Sequence, residues 1–280
     1  MKHSDGRFPG AAGHSIYFQC WEPESAPSAV LMLVHGAGEH SGRYLPLASY
    51  FAGNNFVVAA FDQNGHGYSD GTPGHVNAFD DYLYDLGVFR RQVAERFVGV
   101  PVFLLGHSMG GLVAANYLLR NQDEFVGAIL SGAAIMTDLQ PGLLQLWAIR
   151  LLAVLAPKMG LLQLDANGVS RDPQQVRRYV EDPLVHHGKL SARFVRELFV
   201  GMRALQDSAG VITVPMLILH GGADTMTAPR GSQFLYEAVG STDKTLKIYP
   251  GVYHEIFNEP ERAEILAEVL KWCDGRLATD

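Results

Sequence analysis

Cysteine is almost missing from this 280-residue chain: Cys20 and Cys273 are the only two, one near each end. With no CxxC pair and no Cys/His spacing of the zinc-binding kind, a disulfide scaffold is excluded, and two unpaired thiols in a reducing compartment are expected. Charge is scarce as well. Acidic and basic side chains make up 18% of the residues, against about 25% in an average soluble domain, which argues against long disordered tracts. The 22 Lys and Arg are outnumbered by 29 Asp and Glu, giving a net charge of -7. No basic cluster is present to grip phosphates, so no nucleic-acid partner is expected. The amino-terminal MKHSDGRFPG lacks the apolar stretch of a signal peptide, and a cytoplasmic location is the expectation. Repeats and low-complexity tracts are lacking too.

What is abundant is apolar sequence, 48% of the chain, enough for a large core. Short apolar runs at 29–34, 56–61, 102–106, 127–132, 215–220 and 245–250 alternate with helical patterns, the signature of βαβ units building a mostly parallel sheet. Phe79, Leu83, Leu86, Phe89, Val93 and Phe97 recur at the three- and four-residue spacing that places them on one helix face against such a sheet. The alternation breaks between Gly132 and Pro215. That gap of about 80 residues shows several helical patterns and no strand signal, where an ordinary connection has about 2 to 6 residues. An inserted helical cap over 137–210 is expected, with the α/β core at 1–136 and 211–280. The cap opens with an apolar segment from Leu139 to Leu164 in which Arg150 and Lys158 are the only charges. Pro141, Pro157 and the central Arg150 argue against a membrane span, and a lid helix is the better reading. Leu143, Leu144, Leu146, Trp147, Ile149, Leu151, Leu152, Val154 and Leu155 make that helix apolar on nearly every side. One face buried against a pocket then leaves another for peripheral membrane contact.

Gly106-His107-Ser108-Met109-Gly110 matches GxSxG, in which a strained strand-to-helix turn lifts a serine above a sheet. The pattern alone arises by chance in about one of six chains of this composition, so context decides. A second match, Gly67-Tyr68-Ser69-Asp70-Gly71, is followed by Thr72-Pro73-Gly74, which is turn chemistry without a helix start, and Ser69 is rejected. Ser108 follows the buried-strand run 102–105 and precedes a small-residue helix. The N-terminus of that helix offers the Met109 backbone N–H and a positive dipole end to an oxyanion.

A serine nucleophile needs an imidazole to take its proton and a carboxylate to orient the imidazole. On a hydrolase sheet these follow in the order Ser, acid, His, in loops after later strands. Asp224 directly follows the strand run at 215–220, and His254 follows the one at 245–250. His186 and His187 fall inside the cap, His220 ends its strand in a packing position, and Asp243 precedes its strand. The second oxyanion donor is expected after the first core strand, where His35-Gly36-Ala37-Gly38 points to the Ala37 N–H. A rival reading takes Gly36-Ala37-Gly38, Gly42 and Asp62 as a dinucleotide site, but the spacing is GxGxxxG and Glu39 is unsuited to a pyrophosphate. His35, His40, His66 and His75 invite a metal reading without any HExxH-like spacing to support it. No metal and no cofactor are expected.

HGAGEHSGRY at 35–44, GHGYSDG at 65–71, PVFLLGHSMGG at 101–111, Tyr179 with Asp182-Pro183, and DKTLKIYPGVYH at 243–254 together resemble the monoacylglycerol lipase family of the α/β-hydrolase fold. The resemblance runs from about His14 to Trp272 and is thinnest over 137–175; Gln63-Asn64 departs from the His-containing run usual before GHG. It implies a mostly parallel central sheet flanked by helices with a helical cap, a Ser108, Asp224 and His254 triad, and Ala37 and Met109 as oxyanion donors. It also implies a glycerol pocket of Glu39, Arg43, His107 and Tyr179. The residues themselves leave a local ion pair open for Glu39 and Arg43, and a packing strut for His107. The activity implied is hydrolysis of monoacylglycerols to glycerol and fatty acid through an acyl-enzyme, with a small-molecule lipid as partner. A lysophospholipase or general carboxylesterase is the alternative, and a hydrolase-fold receptor with little turnover is the distant one.

Overall fold

A computed structural model describes residues 1–137 and 142–277, apart from the Leu143 side chain. The elements in chain order are β1 (Lys2–Pro9), β2 (Ser15–Glu22), β3 (Ala29–Val34), α1 (Leu45–Gly53), β4 (Phe56–Phe61), α2 (Phe79–Arg96), β5 (Val102–His107), α3 (Met109–Asn121) and β6 (Gly127–Ser131). They continue with α4 (Leu143–Leu155), β7 (Gly160–Leu162), α5 (Pro173–Glu181), β8 (Leu190–Ser191), α6 (Ala192–Ser208), β9 (Met216–Gly221), α7 (Pro229–Ala238), β10 (Lys244–Tyr249) and α8 (Arg262–Leu277). Eight strands form one sheet in the order β1-β2-β4-β3-β5-β6-β9-β10. From β4 to β10 every pairing is parallel, and β1 and β2 join antiparallel at one edge.

Five of the six apolar runs are strands covered on both faces; the sixth, β10, is a half-buried edge strand. Along β3, Val30, Met32 and Val34 enter the core beneath α2, α3 and α6, while Ala29, Leu31 and Leu33 enter the one beneath α1 and α8. Alternation that points to two buried faces reads as an unbroken apolar run. The predicted α2 stripe is likewise confirmed, with Phe79, Leu86, Phe89 and Val93 buried.

Two features differ from the sequence-based expectation. The polar amino terminus is a full hairpin, β1 paired with β2 from Lys2↔Glu22 to Pro9↔Ser15. It escapes notice because an edge strand buries little: only Phe8 of β1 is fully covered. The excursion between β6 and β9, expected without strands, contains the short antiparallel pair β7–β8. Its α6 packs directly on α3, where Asn116 Nδ2 donates to Gly201 O at 3.1 Å. The start of the expected lid segment, Leu139 to Pro141, lies outside the described residues. Among the described residues no helix is long and apolar enough to cross a membrane.

Candidate active site

The sheet delivers its chemistry at the carboxyl ends of β3, β5, β9 and β10. Between β5 and α3 the chain turns so sharply that Ser108 adopts φ 54°, ψ −120°, a conformation that costs about 1 to 3 kcal/mol and persists only where the surroundings enforce it. Glycine makes that enforcement possible: a Cβ on Gly110 would lie 2.1 Å from Val34 O, and one on Gly106 2.5 Å from Gly110 O. The loop after β3 comes equally close, since a Cβ on Gly36 would sit 3.0 Å from that of Ser108. Among the described residues, neither the Ala37 nor the Met109 backbone N–H donates to a protein acceptor. Both residues line the same cavity as Ser108.

Asp224 and His254, predicted from their places after β9 and β10, meet with His254 Nδ1 2.6 Å from Asp224 Oδ2. Oδ1 of Asp224 accepts the Met226 and Thr227 amides at 2.7 and 3.0 Å. Oδ2 also lies 2.8 Å from Thr227 Oγ1 and 3.1 Å from His220 Nε2. Burial would raise the Asp224 pKa, but His254 and these hydrogen bonds outweigh it and hold the carboxyl well below the ordinary range. For His254, burial opposes protonation, yet Asp224, then Glu255 and Glu39, raise its pKa above the usual histidine value. Ser108 and His254 both line one cavity of about 680 Å³.

The rejected alternatives are occupied elsewhere. Ser69 Oγ donates to Asp62 O at 2.5 Å and accepts the Tyr17 amide, as a turn strut would. Asp62 accepts Ser41 N and Oγ and Tyr68 N, which leaves it no ribose to read. His35, His40 and His75 pair with Gln63 N, Asp182 and Ser191, and Asp243 pairs with Arg276. Among the described residues no group of three or more His, Cys, Asp or Glu is arranged to hold a metal ion.

The four residues expected to form a polar pocket separate into two layers. Glu39, His107 and Tyr179 line the cavity; Arg43 does not. Arg43 stands behind them, with Nη1 2.8 Å from Glu39 Oε2 and 2.6 Å from Glu255 Oε1, Nη2 2.8 Å from Glu255 Oε2, and its guanidinium 4.7 Å over the Tyr179 ring. Glu39 then spends Oε1 on the Gly36 amide, 2.6 Å, and the Tyr44 hydroxyl, 2.8 Å. The local ion pair left open by the sequence is therefore real, and it braces the loop that carries Ala37. Burial, then His254, push His107 down to about 4, so its imidazole is neutral at pH 7. Its ring centroid lies 4.7 Å from that of His254.

Glu255 and His220 were missed by sequence reasoning. Glu255 lines the cavity and completes the Arg43 bridge, but a Glu after a His carries no signal of which way it faces. His220 was expected only to pack; its four-residue offset from Asp224 was the available clue. The rest of the cavity is mainly apolar, walled by Ile149 and Leu152 of α4, Val195, Leu198, Phe199 and Met202 of α6, and Leu162 and Leu164 between them, with Thr137, Gln145 and Thr227 also in the lining.

A mostly parallel sheet, a strained serine turn and an acid–histidine pair in later loops define a serine hydrolase of the α/β-hydrolase class. The model of the serine aminopeptidase, S33 family matches residues 25–261. A monoacylglycerol lipase of Mycolicibacterium smegmatis is 37% identical over 98% of both chains, and the human monoglyceride lipase is 34% identical over 96% of this chain and 90% of its own. The crystal structure of Paleococcus ferrophilus monoacylglycerol lipase superposes with a TM-score of 0.82 at 32% identity, covering 99% of this chain and 100% of that one. The chain belongs to the monoacylglycerol lipase family of α/β-hydrolases.

Proposed function

We propose that the protein hydrolyses monoacylglycerols to glycerol and a free fatty acid. Ser108 attacks the acyl carbonyl while His254 takes its proton, and the Ala37 and Met109 N–H groups receive the oxyanion. His254 returns the proton to the leaving glycerol oxygen, and water then releases the fatty acid by the same path in reverse order. Asp224 keeps the imidazole oriented and balances its charge.

The observation that carries this reading is the polarity of the cavity: apolar walls along α4 and α6, polar groups gathered at the Ser108 end. An acyl chain suits the first and a glycerol the second, beside Glu39, His107 and Tyr179. A lysophospholipid fits less well, because two carboxylates there share one guanidinium whose Nη1 and Nη2 are already engaged. A phosphodiester would meet surplus negative charge. Ser108→Ala is expected to abolish ester hydrolysis, by up to about 10⁶-fold in kcat, while Ser69→Ala keeps most of it. A turnover panel of monoacyl-, diacyl- and triacylglycerols with lysophosphatidylcholine tests the substrate, and preference for the last would overturn the assignment.

The cap over 137–210 supplies the acyl end of this cavity and a peripheral membrane contact. On α4, Ile149 and Leu152 turn inward while Leu144, Trp147, Leu151, Val154 and Leu155 stand between 57% and 86% exposed. An apolar face with a tryptophan suits the boundary of the bilayers in which monoacylglycerols reside. Replacing Trp147 and Leu151 together with Ser should weaken vesicle binding and long-chain turnover and spare a soluble short-chain ester. Undiminished vesicle binding by the folded variant would rule out the contact.

A further inference from the structure

The carboxylate of Asp224 is held by two imidazoles. His220, at the end of β9, is completely buried, and its Nε2 lies 3.1 Å from the same Oδ2 that His254 Nδ1 approaches at 2.6 Å. On the other side of the His220 ring, Nδ1 is 2.7 Å from Ser232 Oγ of α7. Around Nε2 stand only oxygens, those of Asp224 and Thr227, with the Thr227 carbonyl at 3.3 Å. A carboxylate and a carbonyl only accept, so Nε2 carries a proton, and the Ser232 hydroxyl is the partner of Nδ1. A relay results: Ser232 Oγ holds His220 Nδ1, His220 Nε2–H donates to Asp224, and Asp224 accepts from His254.

We propose that His220 is a positioning residue for ester hydrolysis, fixing Asp224 Oδ2 toward His254 and drawing off part of the carboxylate charge that would otherwise act on His254 alone. The proposal rests on the assignment of Ser108, Asp224 and His254 as the triad. Its physical content is that Oδ2, which also takes the Thr227 hydroxyl, shares its charge between two imidazoles instead of directing it at His254 alone. A carboxylate oxygen that also accepts from His220 is less basic toward His254, so the imidazolium is stabilised enough to form and not so much that it holds its proton at working pH. The titratable and charged groups facing His254 are Asp224, Glu255, Glu39 and His107, with Arg43 behind the two glutamates. Replacing His220 leaves Glu255, Glu39, His107 and Arg43 as they are and acts on His254 only through Asp224, which isolates its effect.

The test compares His220→Leu, which removes the donor, with His220→Gln, whose Nε2 can restore it, and with Ser232→Ala, which removes the partner of His220 Nδ1. Each is measured on a soluble short-chain ester as kcat/KM from pH 5 to 9, beside thermal unfolding and Ser108→Ala. His220→Leu is expected to lose about 10- to 100-fold in kcat/KM, the range for one hydrogen bond to a buried charge. Its acid limb should move to higher pH by about half a unit, because Asp224 then acts on His254 undivided. Ser232→Ala should move the limb the same way by less, and His220→Gln should return it toward wild type. Should His220→Leu not fold, the contrast between Gln and Ala variants decides. Limbs that coincide with wild type in all folded variants would overturn the proposal and leave His220 as packing. Activity surviving in Ser108→Ala would instead overturn the triad on which it rests.

Discussion

Replacing Arg43 by Met keeps the bulk of the side chain and removes its charge from between two buried carboxylates, Glu39 and Glu255, which are 3% and 6% exposed. Breaking a buried ion pair by deleting one partner costs about 3 to 5 kcal/mol, because the remaining charge has neither water nor a counter-ion. With an unfolding entropy of about 2.1 cal/mol/K per residue, that corresponds to a fall in Tm of about 5 to 8 °C for a chain of this length. The deficit should depend on pH in a defined direction. In the wild type, burial would raise the Glu255 pKa, but Arg43 lowers it below the ordinary value. This group therefore contributes stability that is present above the unfolded carboxyl pKa and lost as pH falls through the depressed one. In Arg43→Met the Glu255 carboxylate takes up a proton more readily, so the gap to wild type should be widest near pH 7.5 and narrow toward pH 5. Activity should fall on a p-nitrophenyl ester as much as on a monoacylglycerol, since freeing Glu39 loosens the Gly36 amide and with it the Ala37 donor. Thermal unfolding at the two pH values and kcat/KM on the two substrates check each part. An unchanged Tm at pH 7.5 with a loss confined to monoacylglycerol would refute the brace and make Arg43 a head-group ligand.

Two further outcomes follow from the site. The proposed mechanism needs a neutral His254 to accept the serine proton, and its pKa is raised by Asp224 against burial. The acid limb of kcat/KM should therefore lie above the ordinary histidine pKa of about 6.5, and Asp224, held well below the carboxylate range, should add no second limb; a flat rate between pH 5 and 8 would exclude a histidine base. Tyr179→Phe removes one hydroxyl that lines the cavity, worth about 0.5 to 1.5 kcal/mol as a hydrogen bond. It should reduce kcat/KM for monoacylglycerol more than for a p-nitrophenyl ester of the same acyl chain, and equal losses would remove Tyr179 from head-group recognition.

Sequence signals revealed whatever a local pattern dictates. Strands buried on both faces announce themselves as apolar runs, and the serine turn as glycines at fixed spacing, so five core strands and, beside them, the half-buried edge strand β10 were legible, and with them the places of Ser108, Asp224 and His254. The β1–β2 hairpin was not, because Lys2, Ser4 and Gly6 sit at a solvent-facing edge where pairing needs no apolar code. Nor were β7 and β8, three and two residues long, whose ladder is shorter than any period. The polar layer behind the pocket was only half visible. Glu39 and Arg43 are four residues apart on one helix start, a local relation that sequence displays. Glu255 joins them across 212 residues, through a turn whose direction is set by packing.

The two ends of the cavity are held by different forces, and the difference matches what each must do. At the polar end the excursion between β6 and β9 is tied to the core by hydrogen bonds. Gly168 O and Val169 O accept the His254 and Glu255 amides at 3.4 and 2.8 Å, and His186 N donates to Gly38 O at 2.7 Å. Asp182 Oδ2 accepts from His40 Nε2 at 2.9 Å. These bonds fix His254 and the 35–38 loop from outside the sheet, the proposed base and oxyanion donor, where a displacement near 1 Å is enough to cost about 10²-fold in rate. At the apolar end, among the described residues, α4 meets α6 through packing and a bond from Arg193 Nε to Ala153 O, with the Ala192 and Arg193 amides donating to Met159 O and Pro157 O just beyond α4. An acyl chain has no directional groups to align, so exclusion of water is all that wall has to provide, and non-directional burial provides it. The sequence divides along the same line: the 35–44 and 243–254 segments are dense in hydrogen-bonding groups, and 143–155 is nearly all hydrocarbon.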